Sequence, residues 1–230
     1  MTVTVIGPQG TIPGALSIDL AGQCAWLLPH KALYLPAYQA LLAADVHLGK
    51  AVSYRRLGVP VPEATTDETL DRLTRALALT GARRLLFLGD LLHSAHAHAA
   101  ATLALVQRWR DDHAAIEMLL VRGNHDLHAG DPPPALDIPA VDAPVLLGPF
   151  ALVHAPDDAA PQPYYRLAGH VHPAVSLGGR AHVHLRLPCF HLGPATGVLP
   201  AFGAFTGMHT LRRCSADRVY AIVEQAVIAV

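Results

Sequence analysis

Thiols are scarce in this sequence. Its 230 residues include three cysteines, Cys24, Cys189 and Cys214, spaced far apart, odd in number and without a CxxC pair. A disulfide framework is therefore not expected, and a reducing cytoplasm is the expected compartment. Charge is thin as well: 15% of residues are Asp, Glu, Lys or Arg, and the formal net charge is -1. Without a global basic field, any nucleic-acid contact has to come from a local patch. Long apolar runs are missing; none reaches the ~18 residues that cross a bilayer. The most apolar stretch, CAWLLPHKALYLPAYQALLAAD, is broken by Pro29, His30, Lys31 and Pro36. The opening MTVTVIGPQG has neither the basic segment nor the apolar core of a signal peptide.

Hydrophobic residues make up 52% of the chain, a globular composition with ample material for a core. Histidine is the one over-represented reactive type, with 15 in the chain. Position decides whether those histidines cover a surface or converge on a metal.

The chain contains no repeat or low-complexity tract. ALYLPAYQALLAADVHLG reads as two short strands around a Pro36 turn, the second ending at Asp45. TTDETLDRLTRALALTG predicts a helix. Thr65 or Thr66 caps it, acids fill its first turn, Leu70, Leu73 and Leu77 share a face, and Gly81 stops it. RRLLFLGD and IEMLLVRGN read as short buried strands, with a second helix over about 97–113 between them. Residues 127–146, rich in proline, predict a long surface connection. From Phe150 onward short strands dominate. Strand and helix alternating from 40 to 122 indicate layered α/β structure. No domain boundary stands out, so one domain spanning 1–230 is expected.

Four polar clusters sit where a strand runs out: ADVHLG with Asp45 and His47, LGDLLHS with Asp90 and His93, RGNHD with Asn124, His125 and Asp126, and AGHVHP with His170 and His172. His154 ends a fifth, FALV. In α/β sheets, ligand sites gather beyond the carboxyl ends of strands. Residues two apart in extended backbone point the same way, so Asp45 with His47, and His170 with His172, are expected to reach one site as pairs. Carboxylates, imidazoles and an amide, without thiolate, suit Mn²⁺, Fe or Zn²⁺ better than Mg²⁺ or Ca²⁺. One cation rarely takes seven side chains. Two cations sharing a carboxylate would use them all and would clamp a phosphorus centre undergoing in-line displacement. Singly, DxH, GD and a lone histidine are weak signals that surface, turn or core residues also produce. Their joint order is what carries the reading.

These motifs, DVH, GDLLH, GNHD, the His of LVHAP, and GHVH, resemble the full signature of the calcineurin-like metallophosphoesterases. The longer segments ADVHLGKAVSYRRLGVPVPE, LLVRGNHDLHAGDPP, LRLPCFHLG and VLPAFGAFTG are similar to the bacterial ligase-associated DNA damage response endonucleases. The likeness runs from about Leu27 to Val223. It implies a β-sandwich flanked by helices. It implies one metal on Asp45, His47 and His172, a second on Asn124, His154 and His170, and Asp90 bridging them, with Mn²⁺ favoured. His93, in place of a frequent aspartate, resembles the variant found in repair nucleases and implies an outer position around the ligands. An ordinary packing histidine is the alternative. The chain is too short to include the additional DNA-capping domain of some repair nucleases.

On this likeness His125 is the expected general acid toward the leaving oxygen, with Asp126 orienting its imidazole and favouring its protonated form. A turn or helix cap is the alternative for Asp126. Arg55 and Arg56 either grip substrate phosphate or form a solvated face. Phe202 and Phe205 either stack on nucleobases or pack into the core. Three functions compete. The first is a Mn²⁺-dependent endonuclease linked to DNA repair, for which the resemblance implies single-stranded DNA and a functional association with an ATP-dependent DNA ligase. The second is a phosphoesterase for nucleotides or cyclic nucleotides. The third is a binding protein with a degenerate site, against which the desolvation cost of seven convergent polar groups argues.

Overall fold

The computed structural model describes residues 11–56, 58, 65–178, 184–204 and 206–230, with the side chains of Arg56 and His184 outside that description. Two large sheets form the molecule. The first has seven strands: β1 (Leu16–Leu20), β2 (Gln23–Leu27), β3 (Leu33–Leu35), β4 (Ala40–Ala43), β5 (Arg84–Leu88), β6 (Glu117–Val121) and β7 (Ala140–Val141), neighbouring one another in chain order. β1 to β4 form an antiparallel meander, and β4 to β7 run parallel. The parallel part needs crossovers, and helices supply them. α1 (Lys50–Arg56) and α2 (Thr65–Thr80) lie between β4 and β5, α3 (Ala100–Asp112) between β5 and β6, and α4 (Asn124–Ala129) between β6 and β7.

The second sheet comprises β8 (Val145–Leu147), β9 (Phe150–Leu152), β10 (Tyr165–Ala168), β11 (Pro173–Gly178), β12 (His184–Leu192), β13 (Thr196–Val198), β14 (His209–Thr210), β15 (Arg218–Val223) and β16 (Ala226–Ala229). At its centre β9, β10 and β13 are parallel neighbours.

Period-two burial explains the layering. Leu41, Ala43, Leu85 and Phe87 join Leu70, Leu73, Leu77, Val106 and Trp109 in a core beneath α2 and α3. Their alternates Ala40, Leu42, Leu86 and Leu88 face Phe150, Leu152, Leu167 and Phe190 between the sheets. A sheet covered on both faces reads as an uninterrupted apolar run, as RLLFL and ALLA do.

The helix signals of α2 hold. Asp67 and Glu68 occupy its first turn, and Gly81 ends it at φ +63° with its N–H on the Leu77 carbonyl. The second expected helix starts later than its pattern suggested. Ser94 caps a separate 3₁₀ turn over Ala95–His98, and the extended backbone of Ala99 delays α3 to Ala100. The proline-rich 127–146 segment is more ordered than a surface connection: the end of α4, β7 and the start of β8 fall within it. No helix among the described residues is long and apolar enough to cross a membrane.

Candidate metal centre

Asp45, Asp90, His154 and His170 are each the second residue beyond β4, β5, β9 and β10, and Asn124 opens α4 just after β6. The carboxyl ends of two parallel strand groups, one from each sheet, thus face a common space. There Asp45, His47 and His172 bring one ligand atom each to within 4.8 Å of one another, and Asp90, His154 and His170 form a second such group. Asp90 stands between them: its Oδ2 is 3.9 Å from His47 Nε2 and its Oδ1 is 3.5 Å from His154 Nε2.

The expected pairs converge, but not through extended backbone. Asp45, His47, Asp90, His170 and His172 all have positive φ, between 50° and 68°. Ten described non-glycine residues do so, and these are five of them. Left-handed backbone costs an L-residue roughly 1–2 kcal/mol, so the strain is concentrated where the ligand types are. A period-two argument cannot foresee this, because the strand has already ended at Ala43 and at Ala168.

Side-chain orientation is fixed by backbone acceptors. His154 Nδ1 donates to the Leu88 carbonyl (3.1 Å), and His172 Nδ1 to that of Gly207 (3.1 Å). A ring held this way turns its Nε2 lone pair inward, as metal-ligating histidines do. His154 Nε2 then lies 2.8 Å from Asn124 Oδ1 and 3.1 Å from His170 Nδ1. With the ring proton already engaged on Leu88, His154 Nε2 and Asn124 Oδ1 confront each other as acceptors, and a cation between them satisfies both.

The carboxylates point the same way. Asp45 and Asp90 are 0% and 2% exposed, and among the described residues no Lys or Arg forms an ion pair with either. Buried charge of this kind needs a counter-ion. Lys50, at the start of α1, supplies only part of one: its ammonium feels both carboxylates while burial lowers its pKa. Burial, with Lys50 and neighbouring imidazoles, lowers His47 to about 2, which keeps its ring neutral and its lone pair free. The donor set therefore fits two divalent cations.

Glycine lets these turns close. A Cβ on Gly89, at φ +78°, would lie 2.0 Å from His154 Nδ1, and one on Gly123 would lie 2.3 Å from Asp90 Oδ1.

Asp126 takes the place of the turn or helix cap that was its alternative reading. Its carboxylate accepts the backbone N–H groups of Asp90 (2.7 Å), Gly123 (2.9 Å) and Leu92 (3.2 Å), so it ties the β5 and β6 turns together. His125 is oriented by another group: its Nδ1 faces the His93 carbonyl at 2.8 Å, and the two rings stack at 5.1 Å. His93 Nδ1 lies 3.4 Å from His47 Nδ1. Burial, Lys50 and His125 lower its pKa to about 4.

Arg55 sits on α1, outside the two ligand groups. The Arg56 side chain and Phe205 lie outside the described residues. Phe202 is fully buried in the core under α2 and offers no face to a base. Lys50 was not singled out by the sequence, although its place three residues after His47 was a usable signal.

No protein-family model and no curated protein matches the chain. Among solved structures, Pseudomonas putida nuclease MPE is 46% identical with a TM-score of 0.81, covering 94% of this chain and 100% of its own. The chain belongs to the calcineurin-like metallophosphoesterases. Two further structures are more distant. Yfce, a phosphoesterase from E. coli, is 18% identical with a TM-score of 0.43. Vps29 from Entamoeba histolytica, solved with zinc, is 15% identical with a TM-score of 0.34. Each covers 83% of this chain and 96% of its own, and nothing below rests on either. As a metallophosphoesterase, the protein is a hydrolase of phosphate esters, and its two sheets flanked by helices have the expected fold.

Proposed function

We propose that this metallophosphoesterase is a nuclease that cuts DNA internally, preferring single strands, with two divalent cations of which Mn²⁺ is favoured, in the service of DNA repair. Support comes first from its 46% identity with a nuclease over that protein's full length. The grouped His and Asp side chains add to it. Asp45, His47 and His172 would hold one cation, Asn124, His154 and His170 the other, and Asp90 would touch both. Bound there, the pair would supply Lewis acidity to the phosphodiester and to an attacking water.

The remaining steps fall to the protein. His125 is 39% exposed at its side chain, so substrate can reach it, and its Nε2 is turned to the Asp90 side of the centre, 3.9 Å from Oδ2. With Nδ1 tethered to His93, Nε2 is the atom that would hand a proton to the departing 3′ or 5′ oxygen. His93 acts through that carbonyl as a positioning residue. Asp126 sets the spacing of the Asp90 and Asn124 turns rather than the tilt of the imidazole.

The test is purified protein with Mn²⁺ and circular single-stranded DNA. Conversion of circles to fragments is expected, since circles offer no ends to an exonuclease. Intact circles, with hydrolysis of a cyclic or mononucleotide instead, would move the substrate to the small-molecule class.

A further inference from the structure

Two adjoining cavities lead away from the metal centre. The nearer, about 230 Å³, is lined by His172, Gly203, Gly207 and Met208 and reaches Lys31 and Pro188. The farther, about 500 Å³, includes the same Lys31 and Pro188 and continues to His30, Arg72 and Arg75. The shared residues make one groove that starts at a candidate metal ligand.

Several of the groove's polar atoms have no partner. His30 Nδ1 is shut off from solvent and has no hydrogen-bond partner. Among the described residues, neither the Lys31 ammonium nor the Arg75 guanidinium has an ion-pair partner. Arg72 donates to the Phe202 carbonyl and lies 5.4 Å from the centroid of that ring. Burial and Arg72 bring Lys31 down to about 8, and burial with Arg72 and Arg75 lowers His30. Glu68, Asp71 and Glu224 also line the outer cavity, but all three are exposed.

Lys31 is placed with some strain. It has φ 64° in the β2–β3 turn, where its N–H bonds the Leu28 carbonyl and the Leu28 N–H bonds that of Ala32. Glycine or asparagine takes such a turn more readily. A lysine there puts an amine where the two cavities meet.

We propose that this groove binds the phosphodiester backbone of the DNA strand adjoining the cleaved bond, with Lys31 and Arg75 as its phosphate contacts. This rests on the nuclease reading and deepens it. The productive substrate is a strand long enough to run from His172 past Lys31 to Arg75, a span that a mononucleotide cannot cover. It also shows how a chain of near-neutral charge can hold a polyanion, through a local row of unpaired donors.

The test combines Lys31→Ala with Arg75→Ala and reads the binding of a fluorescent single-stranded oligonucleotide by metal-free protein, so that cleavage does not intervene. Affinity is expected to fall roughly ten-fold or more, and the slope of log affinity against log salt to shrink by about 1.4. Lys31→Arg is expected to keep both near wild type. Should the double variant fail to fold, Arg75→Ala alone, at an exposed helix position, is expected to lower the slope by about 0.7. Unchanged affinity and slope, in a protein that cuts DNA, overturn the groove and leave the nuclease reading standing. So does an equal loss for a dinucleotide, which is too short to reach the groove. Wild-type protein that binds the strand yet cuts no DNA overturns the nuclease reading instead.

Discussion

The two halves of the metal centre differ in depth. The first sheet contributes a floor: Asp45, His47 and Asp90 are buried, their turns pinned by backbone hydrogen bonds and by Asp126. Asn124, His125, His170 and His172 form a rim of exposed or half-exposed groups. Only His154 of the second sheet reaches floor depth, at 4% exposed. The donor chemistry follows depth: both carboxylates lie in the floor, and the rim has imidazoles and an amide. Buried carboxylates that cannot relax fix where cations sit. Of the rim groups, His125 is the one left free of the proposed cations and within reach of substrate.

Substitutions can break that contrast, and the largest effect belongs to the floor. Asp90→Ala should reduce phosphodiester hydrolysis on the order of 10³-fold or more, with lower metal content by elemental analysis, if its carboxylate, which lies between the two groups, serves both cations as proposed. Retained activity with full metal content would remove its bridging place. On the rim, His125→Ala should slow DNA cleavage by roughly 10²–10⁴-fold while leaving the metal bound. An ester with an acidic phenol leaving group needs no proton, so its hydrolysis should change little; matched losses would contradict the general-acid role.

Asp126→Asn sharpens the contrast by loosening the floor without removing a ligand. It keeps the shape but weakens three N–H···O bonds, so metal affinity should fall about 10–100-fold, as measured by titration. Chelation probes the floor as a whole. At a cation concentration about 100 times its dissociation constant, binding adds about 2.7 kcal/mol, so the chelated protein should melt roughly 5–10 °C lower. No shift on chelation would mean that the buried carboxylates find their counter-charge within the chain. Leu127→Ala sets the lower bound. At 70% exposed on α4, beside His125 but outside both ligand groups, it should alter stability by no more than about 0.5 kcal/mol.

Much of this was legible in the sequence because each signal was local. Asp45, Asp90, His154 and His170 follow apolar runs that could only be strands, and Gly81 could only be a stop. What was hidden depends on distant neighbours. The left-handed backbone at Asp45 and His47 is imposed by bonds such as His47 N–H to the Asp90 carbonyl and Gly203 N–H to the Asp45 carbonyl, which no spacing rule contains. For Asp126 the sequence left a pair with His125 and a cap both open, and only the fold shows that α4 turns its carboxylate back under the β5 turn. Lys31 read as an interruption of an apolar stretch until the fold placed it beside residues 40 positions and more away.

The strained turns have a consequence for anyone trying to improve this protein. Glycine or asparagine at 47, 170 or 172 would relieve the backbone while discarding an imidazole. Selection for heat resistance alone would therefore dismantle the catalyst first, and a hardened variant is worth having only if every round is also scored for turnover.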